Sequence, residues 1–145
     1  MSDELDEFAR VLMKEVRDEG ISVSEYALRP DATGRIAEAW RAVGAENAQV
    51  LIPQIVDDVI FELLDAIDNR ELRLVFVRED GTKIDLSRTG ELGGWFMTTL
   101  SNGWRARFSE RRYLTFDKRV LVPPEGTDED PDFMPAFSKQ HLDPK

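Results

Sequence analysis

The sequence predicts an α+β fold: three N-terminal helices packed on one face of an antiparallel meander of about four strands, followed by an irregular acidic tail. Three observations lead there. Apolar residues recur at helical spacing as far as Ile67, and the period then changes to alternation. Within the alternating stretch stand two turn pairs, Asp80-Gly81 and Asn102-Gly103, each suited to a two-residue hairpin loop. With 145 residues the chain is near the commonest domain size, so residues 1–122 are expected to form a single domain and 123–145 a tail.

The first helix follows from Leu5, Phe8, Ala9, Leu12, Met13 and Val16, with Ser2 or Asp3 as cap, acids in its first turn and Gly20 after its end. Ser22 and Glu25 then stand at capping-box spacing in a short connector, and Arg29-Pro30 breaks the chain. Ile36, Ala37, Trp40 and Val43 predict a second helix from about Thr33 to Gly44. In the third, Pro53 suits the first turn, and Ile52, Ile55, Val56, Val59, Ile60, Leu63, Leu64 and Ile67 form one wide apolar stripe closed by Asn69. Strands 72–78 and 83–86 flank Asp80-Gly81, which places Val75 and Val77 opposite Leu86 and Ile84. Strands 95–100 and 104–108 flank Asn102-Gly103. That register puts Trp95, Met97, Trp104, Ala106 and Phe108 on a core face, and Phe96, Thr98, Leu100, Arg105 and Arg107 on the opposite one.

Composition narrows the function classes. The chain has 29 acids against 19 bases, a formal net charge of -10, and no cysteine. Such a surface repels nucleic acid and anionic lipid and favours basic partners. Absence of cysteine excludes thiolate metal sites and thiol catalysis and fits a reducing compartment. Acids crowd the first residues where a signal peptide would carry bases, so a cytoplasmic location is expected. The acids are not uniformly dominant, because Arg105, Arg107, Arg111, Arg112, Lys118 and Arg119 face only Glu110 and Asp117 between residues 104 and 119.

Candidate chemistry is sparse. His141, the sole histidine, lies beside Pro144 near the end of the chain, where a catalytic base is poorly held. Asp57, Asp58, Glu62, Asp65 and Asp68 line the third helix, and Asp58, Glu62 and Asp65 share a face that offers hard oxygen ligands to a divalent metal in the manner of a metal-dependent hydrolase. A metal cage wants a second ligand-bearing segment, and a solvated helix face is the favoured reading of these acids. Gly90-Glu91-Leu92-Gly93-Gly94 lacks the Lys-Ser/Thr of a phosphate loop and reads as a bend that turns Trp95 inward. No cofactor and no catalytic residue is expected.

Residues Ala66 to Leu72, Asp80-Gly81, Gly90 to Met97 and Gly103 to Phe108 resemble small uncharacterised bacterial proteins and the immunity proteins of polymorphic toxin systems, across about 66–113. That resemblance implies a small, acidic, cytoplasmic protein that binds and blocks a toxin, and it carries no catalytic motif.

The function expected from all this is a non-enzymatic protein-binding module, monomeric or homodimeric, of immunity type. Its partner is expected to be another protein, such as a basic toxin, and neither nucleic acid nor membrane. The partner-binding residues expected are Phe96, Leu100, Arg105, Arg107, Arg111 and Arg112 on the Arg/aromatic strip, because apolar residues beside arginine are typical of interface cores. Phe133 and Phe137, the apolar members of the acidic tail, are expected to anchor that tail in a pocket or on a partner. A metal-dependent hydrolase, or a regulatory subunit docking through the tail, is the alternative.

Overall fold

Helix-period patterning does more in this chain than the turn pairs suggest, and the result is a mixed α+β fold in which helices dominate. The computed structural model describes residues 3–114 and the short strand 121–122. The tail from 123, with Phe133 and Phe137, lies outside the described residues.

The first helix is longer than expected. An α-helix (α1, Asp3–Val11) passes into a π-helical segment (Leu12–Asp18) and on into a second α-helix (α2, Glu19–Tyr26) without leaving helical backbone angles. Gly20 is therefore interior, facing Val56, and the Ser22–Glu25 spacing caps nothing. Mid-helix glycine costs about 1 kcal/mol relative to alanine. Continuing the helix offsets this by carrying Ile21 to full burial, beside Leu28 just past its end. The next helix (α3, Arg35–Val43) ends at Gly44 as expected.

The long helix (α4, Ala45–Asp68) begins eight residues before Pro53 rather than at it. Proline inside a helix removes the hydrogen bond to the carbonyl four residues back, here that of Gln49. The extension compensates by burying Ala45, Ala48 and Ile52, and the last two form a small second core with Ile21 and Leu28 under Trp40.

The first hairpin is present but its register is displaced by one. Strands β1 (Val75–Val77) and β2 (Lys83–Asp85) pair Val75 with Asp85, Phe76 with Ile84 and Val77 with Lys83. The loop holds three residues, not two. The Gly81 N–H donates to the Arg78 carbonyl at 2.8 Å, Gly81 takes a φ of 88°, and the Arg78 N–H closes the loop on the Thr82 carbonyl at 2.7 Å. This is a type I turn followed by a left-handed glycine. A one-residue slip exchanges faces: Phe76 and Ile84 pack against the core, while Val75 and Val77 stand in water.

The second hairpin does not exist. Its strands are short helices, α5 (Leu92–Met97) and α6 (Trp104–Phe108), so there is no four-stranded meander among the described residues. Leu92 and Phe96, one helical turn apart on α5, are both fully buried. The Asp68 carboxylate accepts from the N–H groups of Leu92 (2.9 Å) and Gly93 (2.8 Å) and so supplies α5 with its cap from α4. Gly103 serves a close approach rather than a hairpin turn. Its φ is -70°, and a Cβ there would lie 2.6 Å from the Thr98 carbonyl oxygen. A 3-10 turn (Leu86–Arg88) follows β2, and a second antiparallel pair, β3 (Tyr113–Leu114) with β4 (Leu121–Val122), ends the described chain.

The main core gathers Leu5, Ala9, Leu12 and Met13 with Ile60, Leu64 and Ile67 of α4, and Leu86, Leu92, Phe96 and Trp104. Phe8 meets Trp104 and Phe76 edge to face, with ring centroids 5.8 and 5.4 Å apart. Trp104 is fully buried as the sequence suggests, but Trp95 is only half-buried and Leu63 is exposed. The displaced register is testable by stability: Phe76→Ala should cost about 2 kcal/mol or more and Val77→Ala about 0.5 kcal/mol in urea denaturation. The reverse order would restore the two-residue loop.

Candidate functional site on the long helix

Between Ala45 and Asp68 the sequence contains no Lys or Arg, only the acids Glu46, Asp57, Asp58, Glu62, Asp65 and Asp68. The fold assigns them different work. Asp68 holds α5, as described above. Asp57 is turned inward and is 1% exposed, between Arg17 at 0% and Arg105 at 2%. Arg17 donates to it from Nε (2.6 Å) and Nη2 (3.1 Å), and Arg105 from Nη1 (2.9 Å). One carboxylate thus bridges two guanidiniums, one from the π segment and one from α6.

The second positive charge is solvated by the backbone. Arg105 donates to the carbonyls of Phe96 (3.1 Å) and Met97 (2.8 Å) at the end of α5 and lies over the Tyr113 and Phe96 rings at 4.5 and 5.3 Å. Arg17 donates to the Arg112 carbonyl (2.7 Å) and to Ser109 Oγ (2.8 Å). Burial draws the Arg105 guanidinium below its ordinary proton affinity; Asp57 opposes that shift and Arg17 adds to it. Ser109 Oγ in turn donates to Asp18 at 2.6 Å, and the Glu110 N–H does so at 2.8 Å. Burial nevertheless pushes the Asp18 carboxyl above its ordinary 3.8, with those hydrogen bonds and Arg17 working against the rise.

These contacts dissolve the expected Arg/aromatic face. Phe96 is fully buried and Arg105 is ion-paired inside. Arg107 grips Asp6 on α1 at 2.9 Å, and Arg111 grips Glu25 on α2. Arg112 is half-buried and lends its carbonyl to Arg17. Of the six, Leu100 and the ion-paired Arg107 are exposed, and Leu100 stands at the rim of a cleft of about 550 Å³ with Glu91, Trp95, Thr98 and Asn102. The physical reason is the loss of the hairpin: helical spacing puts Phe96 inward and lets Arg105 reach back to it.

The metal candidates are not gathered either. Asp58 is exposed and accepts from Gln54 Nε2 at 2.7 Å, Glu62 is exposed, and Asp65 is half-buried. Among the described residues no group of three or more His, Cys, Asp or Glu is placed to hold an ion. None of the helices among them is long and apolar enough to cross a membrane.

What the sequence pattern does not disclose is an apolar row left in water. The wide stripe of α4 divides, with Ile52, Ile60, Leu64 and Ile67 buried while Leu51 (43% exposed), Ile55 (52%), Val59 (65%) and Leu63 (39%) are not. Those four stand at intervals of four residues, a continuous ridge roughly 18 Å long. Gln54, Asp58 and Glu62, each three positions on, run beside it as a polar and acidic row. Scanned against protein-family models, curated proteins and solved structures, the chain finds no match, so the functional reading rests on this geometry.

The two adjacent aspartates give a sharp contrast. Asp57→Asn leaves two buried guanidiniums without their counter-charge and should cost about 3–5 kcal/mol, whereas Asp58→Asn should stay within about 0.5 kcal/mol. Urea denaturation of both variants checks this, and equal costs would show that Asp57 is not the buried hub.

Proposed function

We propose that this chain is a non-enzymatic protein-binding module whose docking face is the Leu51, Ile55, Val59, Leu63 row of α4. The observation that carries the proposal is the exposure of that row on the one helix that the rest of the fold is packed around. Isolated exposed apolar residues need no explanation, but a continuous row rimmed by polar side chains is the mark of a contact surface. The groups best suited to chemistry support the same reading, since Asp57, Arg17 and Arg105 pair with one another, Asp68 with backbone N–H groups and Arg111 with Glu25. The expected immunity-type function, blocking a toxin by occlusion, remains a form of this proposal, with the contact moved from the Arg strip to α4.

A photo-crosslinking residue at the row tests it. With Ile55 or Val59 replaced by p-benzoylphenylalanine in cells that naturally carry the gene, irradiation should yield a discrete adduct heavier than the chain. The same replacement of Glu38, an exposed polar position on α3, should yield none. Absence of any adduct at 55 and 59 would contradict the proposal.

A further inference from the structure

Resting on that reading, we infer the kind of partner: an amphipathic helix with an apolar row and a parallel row of Lys or Arg. Its apolar row would lie along Leu51, Ile55, Val59 and Leu63 and its basic row along Asp58 and Glu62. The form of the partner follows from spacing. A ridge of side chains four residues apart repeats every 6 Å or so along the axis, and the groove that receives such a ridge is offered by another helix with the same interval. An extended strand presents a single line of side chains on a face, about 6.6 Å apart, and no pair of ridges with a groove between them to receive the row.

The sign of the partner follows from charge. Glu46, Asp58, Glu62 and Asp65 are not used as Asp57 and Asp68 are, and no base lies within Ala45–Asp68 to neutralise them. Two copies of α4 laid ridge to ridge and antiparallel would set their Asp58 and Glu62 rows on the same side of an apolar contact that lowers the local dielectric, where like charges repel most strongly. A second copy is therefore disfavoured by the same residues that favour a basic helix. The formal charge of -10 adds long-range attraction that accelerates encounter with such a partner.

The test uses the full chain and three synthetic peptides of about four helical turns, long enough to span the row. One is a Lys/Leu amphipathic helix, the second has the same composition scrambled to destroy the periodicity, and the third replaces every Lys with Glu. Fluorescence anisotropy should show the first binding at least about tenfold more tightly than the other two. Its affinity should fall with added salt. It should be lost in Ile55→Gln/Val59→Gln and strongly weakened in Asp58→Lys/Glu62→Lys. Equal binding of the scrambled peptide would reduce the effect to net charge and overturn the inference.

Two further outcomes would assign the row to a different occupant. Sedimentation of the wild-type chain as a dimer that Ile55→Gln/Val59→Gln dissociates would give the row to a second copy. Tighter peptide binding by the chain carrying Phe133→Ser and Phe137→Ser would give it to this chain's own C-terminal segment. In both cases the basic-helix inference fails. The docking role of the row fails separately, through the absence of crosslinks at 55 and 59.

Discussion

A single buried carboxylate between two arginines sets the arrangement of this protein. Asp57 joins Arg17 of the π segment to Arg105 of α6, residues far apart in the chain, and through them reaches the C-terminal end of α5 and the segment before β3. A buried ion cluster is a poor source of net stability, since desolvation consumes much of the attraction. Its value lies in specificity, because each charge tolerates only the geometry that satisfies it. Both guanidiniums have their donors directed at carboxylate, hydroxyl or carbonyl oxygens, so any rotation of α4 about its axis would strand at least one of them. The cluster therefore fixes which face of α4 looks inward. The π segment contributes by holding Leu12, Met13 and Arg17 together on the buried side, and wide turns of this kind are concentrated at positions with a special task.

Once the orientation of α4 is fixed, its surplus hydrophobicity has nowhere to go. The helix carries apolar residues around more of its circumference than the neighbouring elements cover. The main core takes Ile60, Leu64 and Ile67, the smaller core takes Ala48 and Ile52, and the row from Leu51 to Leu63 remains. A sequence optimised for solubility alone would place polar residues there. Retaining four large aliphatics beside Asp58 and Glu62 is consistent with a contact surface whose partner supplies the missing cover and the missing positive charge.

Much of the fold is legible in the residues themselves. The α+β class, the helical character of the first half and the hairpin at Asp80-Gly81 follow from periodicity and turn chemistry, whereas Trp104 is buried as expected but on a short helix, not through the hairpin register that suggested it. Asn102-Gly103 misleads because a dipeptide cannot distinguish a glycine needed for a left-handed turn from one needed for a close approach to the Thr98 carbonyl. The buried cluster has a signal of its own. Leu5, Ala9, Met13, Arg17 and Ile21 stand four apart, and Pro53, Asp57, Ile60, Leu64 and Ile67 alternate four and three. A cation and an anion, each in phase with an apolar face, announce a buried pair. The exposed row has no such signal, because periodicity shows how wide an apolar stripe is but not how much of it neighbouring elements can cover.

The central claim is that α4 has an inner apolar face that builds the fold and an outer one that does not. Denaturation of Ile55→Gln/Val59→Gln tests it most directly. Side chains that already stand in water lose little when made polar, so the free energy of unfolding should stay within about 0.5 kcal/mol of wild type. A loss of about 3 kcal/mol or more, the size expected for opening a core, would mean that the row is covered in the free protein and would contradict the account.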